Sequence, residues 1–210
     1  MLPLQTEYYM ILKPTFNFLL KISLVIGGFM LVSCGEDYVP KPKGYLRLEY
    51  PRAKYVEAKV DVPFSFETNI LATKISSVNV DAATKSYGLN LEYPTLKGTI
   101  FLTYKAVENN EENLVKFLRD ARKFTEKHMT KADEIPEYPF INEKKKVYGS
   151  FVEVKGNVAS PAQFYVTDSV NHFLTGSLYF YARPNYDSIL PAANYLQKDI
   201  KHLMETIQWK

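Results

Sequence analysis

Few side chains in this sequence could attack a substrate, pass protons or hold a metal. There are three histidines and one cysteine. Asp168, Ser169 and His172 lie within five residues of one another, so the three residue types of a nucleophile, a base and an orienting acid occur together. Triads of that kind are set by geometry rather than by local order, and Asp-Ser followed by Asn171 also spells a tight turn between strands, which is the favoured reading. His128, His172 and His202 sit at a helix end, a strand start and within a helix, flanked by ordinary core and surface residues, and are read as structural. No Gly-x-Ser-x-Gly elbow, Gly-rich phosphate loop, His-Glu-x-x-His pair or calcium loop occurs. The expectation is a protein that is not an enzyme, with no catalytic residue, no metal site and no cofactor.

Cys34 is the exception. Lys13 and Lys21 precede an apolar run from Ile22 to Val32, which ends at Ser33-Cys34 and gives way to Gly35-Glu36-Asp37. A basic segment, a short apolar core and small residues at its end are the layout of an export signal. The run is shorter than the roughly 18 apolar residues a membrane-spanning helix needs. Leu31-Val32-Ser33-Cys34 resembles a bacterial lipobox. In that chemistry the thiol takes up diacylglycerol, the signal is cut before the cysteine, and the new amine receives a further acyl chain. One chain holds a protein to a bilayer only marginally; two or more hold it stably, at about 0.8 kcal/mol per buried CH₂. The alternatives are a buried free thiol or a plain secretory signal with a chance cysteine, but a core cysteine does not sit between an apolar run and an acidic pair. Residues 1–33 are therefore read as a lipoprotein signal peptide, with Met10 the more usual start for one. Residues 34–45 form a lipidated N-terminus and tether, stiffened by Pro40-Lys-Pro42, and 46–210 a single domain.

Composition agrees. With 46% hydrophobic and 23% charged residues the chain is neither disordered nor fibrous. A net charge of +3 lacks the basic excess of a nucleic-acid binder, and one cysteine excludes a disulfide framework. A domain of this size buries roughly 70% of its unfolded surface, enough for a core without disulfides.

The elements that position these residues follow from periodicity. Strands are expected at 45–50, 64–68, 77–80, 89–93, 99–107, 147–154, 162–167 and 173–181, the last three as an antiparallel meander and 99–107 as a central strand. A first helix is expected over 110–129, capped by Asn109 or Asn110, with Leu114, Phe117, Leu118, Ala121 and Phe124 facing inward. A second spans about 191–207, with Pro191 in its first turn and Ala193, Leu196, Ile200, Leu203 and Ile207 inward. Trp209 is expected to close over the core edge. Residues 133–146, with Pro136, Pro139 and Lys144-Lys-Lys146, read as a surface loop with a basic tip. The order strands, helix, strands, helix predicts an α+β fold in which an antiparallel sheet is covered by two main helices. The many tyrosines are read first as strand formers, and only second as interface residues.

Cys34-Gly-Glu-Asp-Tyr-Val-Pro-Lys-Pro-Lys-Gly-Tyr-Leu-Arg-Leu-Glu-Tyr-Pro51 resembles the start of the mature gliding-motility lipoproteins of the GldD family of Bacteroidota. Thr167–Phe180 and Asp199–Trp209 are similar to that family too. The resemblance implies a cell-envelope lipoprotein needed for gliding and associated with the type IX secretion machinery. It brings no catalytic residues, and Cys34 is the position that maps. The order of elements also resembles the PsbP/Mog1-type sandwich, a non-enzymatic scaffold.

Three functions stay open at this point. The first is an accessory or assembly component of the gliding and secretion apparatus, anchored by lipid at the outer membrane facing the periplasm. It would act through contacts with other envelope proteins, with no nucleic acid and no small-molecule substrate as partner. The second is a lipid-anchored glycan hydrolase, which needs a cleft with paired carboxylates. The third is a ligand-binding lipoprotein, which needs a sizeable pocket.

Overall fold

A computed structural model describes residues 50–126, 131–181 and 186–210 of the chain. Residues 44–210 form one compact unit. Cys34, the signal, the tether, His128 and all but the last residue of the strand expected at 45–50 lie outside the described residues.

Thirteen strands, two α-helices and one short 3₁₀-helix (Pro94–Leu96) are described. The first three strands, β1 (Tyr55–Glu57), β2 (Phe64–Ser65) and β3 (Glu67–Asn69), are short; β4 (Lys74–Val78), β5 (Ser86–Tyr93) and β6 (Gly98–Ala106) are longer. Helix α1 (Glu111–Glu126) is followed by β7 (Ala132–Glu134), β8 (Glu137–Asn142), β9 (Val147–Glu153) and β10 (Lys155–Gly156). Then come β11 (Ala162–Thr167), β12 (His172–Phe180), helix α2 (Tyr186–Thr206) and β13 (Gln208–Trp209). Seven strands make one antiparallel sheet in the order β4-β5-β6-β12-β11-β9-β8. The expected meander is its β9-β11-β12 portion. β12 lies at the middle with β6 beside it, which agrees with the β-branched and aromatic richness of 99–107.

Side chains alternate between the two faces of this sheet. Leu89, Leu91, Ile100, Leu102, Phe164, Val166, Leu174 and Leu178 pack on one face, against Ile189, Leu196, Ile200 and Leu203 of α2 and Ile207 just after it. Each of these side chains, fully buried, contributes about 1.5–3 kcal/mol. Phe173, next to Leu174, points the other way and clusters with Val107 and with Phe117 of α1. The two helices thus cover opposite faces, and the cover is unequal. α2 buries a continuous stripe, whereas Phe117 is the buried residue of α1. Phe124, expected inward, is 40% exposed.

Both helix starts have local causes. The Asn110 side-chain oxygen accepts from the main-chain N–H of Glu112 at 2.8 Å and of Asn113 at 3.3 Å, the expected cap. Glu111 and Glu112 put negative charge on the positive end of the α1 dipole. α2 begins at Tyr186, so Pro191 is inside the helix rather than in its first turn. It costs one main-chain bond close to an end where several are unmade anyway.

Two further expectations need correction. Residues 133–146 are not a loop: most of the segment belongs to β7 and β8, with the loop confined to the turn at 143–146. β8 is the outer strand of the sheet and largely exposed, so it shows no apolar alternation, and an outer strand tolerates Pro139. The sheet is accordingly larger than the periodicity implied. Residues 64–68 are not one strand: β2 pairs with β13, and β3 pairs with β1. Phe64 and Phe66 are both 1% exposed, so period-two burial persists across the break.

Candidate functional site

The Asp168, Ser169 and His172 grouping is a hairpin turn. Asp168 Oδ1 accepts from the main-chain N–H groups of Val170, Asn171 and His172 at 2.8–3.0 Å, an arrangement that ties down the β11–β12 connection. Ser169 has φ 68°, the left-handed conformation, and its N–H donates to Thr167 Oγ1. The His172 ring lies against Tyr104, whose hydroxyl is 2.9 Å from Nδ1, and stacks on Trp209 at 5.0 Å between centroids. Burial pushes the His172 pKa down, with Asp168 opposing, and carries that of Tyr104 up to about 12. Trp209 also reaches Phe64 and donates its indole N–H to the Lys146 carbonyl, so it closes the core edge as expected.

His202 belongs to a second polar cluster, between α2 and the β1–β3 pair. Its Nε2 is 2.7 Å from Glu67 Oε2, and its ring stacks on Tyr55 at 3.6 Å. Tyr55 donates to Asp199 Oδ1 at 2.8 Å. The Asn69 amide donates to both Asp199 oxygens, at 3.2 and 2.9 Å, and to Tyr195, which in turn donates to the Pro51 carbonyl. Asp199 is 4% and Asn69 1% exposed. Desolvation raises the Asp199 pKa against the lowering effect of hydrogen bonds from Tyr55, Asn69 and Tyr93. The same burial, with the carboxylate nearby, holds Tyr55 and Tyr93 well above the usual tyrosine range. The cluster pins the β1–β3 pair to α2. Periodicity missed it, because Asn69 and Asp199 look like surface residues until β3 and α2 meet.

Where α1 covers the opposite face there is a cleft of about 320 Å³. Phe117, Ala121, Phe124 and Thr125 of α1 form one wall; Phe101, Tyr165 and Phe173 of the sheet form another. The floor is polar: Thr103, Thr175 and Ser177 on neighbouring strands, and Gln163 from β11. Gln163 Oε1 accepts from Thr125 at 3.0 Å, and Gln163 is 4% exposed. At the rim, Lys105 Nζ lies 3.9 Å from Asp120 Oδ2 and 4.9 Å from the centre of the Phe117 ring. The sequence hid this cleft. Gln163 sits in a strand that otherwise reads as core, and helical spacing on α1 gives no sign that Phe124 stays 40% exposed beside a cleft.

Among the described residues no group of three or more His, Cys, Asp or Glu side chains could hold a metal ion, and no helix is long and apolar enough to cross a membrane. Of the basic run, Lys145 Nζ donates to the Glu205 carbonyl at 2.8 Å, while Lys144 and Lys146 are exposed. Residues 35–209 match the model of one protein family, described as gliding motility lipoprotein GldD, and that match starts at the residue after Cys34. No curated protein matches the chain.

Proposed function

Because the chain belongs to the gliding motility lipoprotein GldD family, we propose that it is a lipid-anchored accessory or assembly component of the gliding and type IX secretion machinery. It acts through contacts with other envelope proteins rather than by catalysis. The observation that carries this reading is the family match over 35–209, set directly behind a lipobox cysteine. Cys34 supplies the anchor, and two or more acyl chains give a residence time on the bilayer that one chain cannot. The compact unit that follows is placed at the outer membrane, facing the periplasm. A helix-sheet-helix layering like this one is compatible with the PsbP/Mog1-type sandwich, a scaffold that serves binding; fold alone does not fix function.

The experiment replaces Cys34 with Ser in the producing cell. Radiolabelled palmitate should enter the wild-type protein and not Cys34→Ser, and the variant should leave the outer-membrane fraction and fail to support gliding. Crosslinking in intact cells followed by mass spectrometry should capture envelope proteins of the secretion machinery. A Cys34→Ser protein that fractionates and supports gliding like wild type would refute the anchor; capture of no such partner would refute the assembly role.

A further inference from the structure

We propose that the cleft beneath α1 is a binding site for a small uncharged molecule with an apolar body and one carbonyl group, which the side-chain amide of Gln163 receives. The site is argued from this cleft alone and stands apart from the anchoring role.

The first observation is the shape and lining. At about 320 Å³ the cleft falls at the lower end of small-molecule sites, which run from roughly 300 to 1,000 Å³. Phe101, Phe117, Phe124, Tyr165 and Phe173 surround it, so the body of an occupant meets aromatic surface on both the helix side and the sheet side.

The second observation is independent of the first and points to a ligand. Gln163 Nε2 is buried and has no hydrogen-bond partner among the described residues. Gln163 lines the cleft and is 4% exposed. Leaving a buried donor unmade is costly, and a core position in a strand accepts Leu or Val without that cost. Thr125 occupies one end of the amide only, so whichever way round the amide sits, its other end is left without a partner at the cleft wall. An amide N–H in an aromatic enclosure is matched by a carbonyl oxygen.

Charge decides the rest. Lys105 and Asp120 at the rim lie 3.9 Å apart and offset one another, and Lys105 is further engaged over the Phe117 ring. No unpaired charge among the described lining residues awaits a carboxylate or an ammonium group, so a charged occupant would lose its hydration without compensation.

The test uses the full lipidated chain in lipid nanodiscs, with empty nanodiscs as the background, and saturation-transfer NMR on two probes: N-benzylacetamide, which is neutral and carries a carbonyl, and 3-phenylpropanoate, which is charged. N-benzylacetamide should bind saturably and at least about tenfold more tightly than 3-phenylpropanoate. Gln163→Leu, which removes the unpaired donor and keeps the bulk, should weaken it about tenfold. Ala121→Phe, placed on the half-exposed side of α1, should fill the cleft and abolish binding. Absence of saturable binding, equal affinity in Gln163→Leu, undiminished binding in Ala121→Phe, or preference for the charged probe would each overturn the proposal. Retention of the wild-type unfolding transition, read at Trp209, establishes that each variant is folded.

Discussion

Trp209 and His172 stack almost parallel, with ring centroids 5.0 Å apart and planes inclined by 6°. The two residues come from the last strand and from the start of the central one, so their contact closes one end of the sheet. Trp209 is the single tryptophan of the chain, which makes the stack directly observable.

An imidazolium accepts an electron from an excited indole far better than neutral imidazole does, so His172 protonation should quench Trp209 fluorescence. Burial pushes the His172 pKa below its ordinary 6.5, so emission should stay constant on the alkaline side and fall through a midpoint below 6.5. His172→Phe keeps the stacking surface and removes the titrating group, so its emission should be flat over the same range. A midpoint above 6.5, or quenching that survives His172→Phe, would place the titrating group elsewhere.

Phe164 and Gly176 face one another directly across β11 and β12. A Cβ added at 176 would meet Phe164 Cδ1 at 2.9 Å, and other atoms of that ring closer still. Phe164 is 3% exposed, so its ring must shift within the packed interior to make room. Gly176→Ala should therefore cost about 1–3 kcal/mol, the range for overpacked cores. In a Phe164→Ala background the same change should cost well under half as much, because the clash is with the ring. Urea unfolding of the four proteins in this cycle, followed at Trp209, measures the coupling; additive losses would refute it.

How much of this was legible in the sequence depended on burial. Leu196, Ile200, Leu203 and Ile207 are at most 2% exposed, and their helical spacing announced α2. Ala162–Thr167 is almost wholly buried, and its limits were read without error. Tyr138 and Ile141 of β8 are 47% and 69% exposed, so that strand carries no pattern and its main-chain bonds to β9 alone define it. The polar clusters were hidden for a different reason. Asn69 and Asp199 are 130 positions apart, and only packing of α2 on β3 turns two polar residues into a buried pair. Gln163 gives no signal in the sequence, because an amide in an apolar strand looks like noise until it is seen to line a cleft with one end unpartnered.

α1 should be the less stable helix. Phe117 is its buried residue, and its start depends on the Asn110 cap. Regions with few buried contacts open locally well below the global unfolding free energy. Amide hydrogen exchange should therefore be faster across Glu111–Glu126 than across the buried stripe of α2. Asn110→Ala removes the cap, which is worth about 1 kcal/mol, and should speed exchange in α1 about fivefold while leaving α2 unchanged. Equal protection of the two helices would contradict the unequal covering of the sheet.

Asp199 should make the protein less stable as pH rises through the mildly acidic range, against the usual direction for a carboxylate. Its folded pKa lies above the ordinary 3.8, because desolvation outweighs the donors around it. Between 3.8 and that folded value the native state holds a proton that the unfolded chain has released, so stability declines with increasing pH across the window. Above it the full penalty of a buried charge is present; below 3.8 it is gone. Tyr55, Asn69 and Tyr93 donate to the carboxylate and His202 lies close by, so the group is held in place while it titrates. Asp199→Asn removes the titration and keeps an acceptor for Tyr55 or Asn69. Relative to wild type, its unfolding free energy should therefore increase with pH through the window and level off above it. Asp199→Ala removes the same titration and should show the same trend with pH, but about 1–3 kcal/mol below Asp199→Asn, by leaving donors of Tyr55 and Asn69 buried without their partner. Urea titrations at half-unit steps between pH 3.5 and 7 separate the two, on the order of the ordinary carboxylate range. If the wild-type and Asp199→Asn curves run parallel, the carboxylate does not carry the raised pKa and its place in the cluster is purely one of packing.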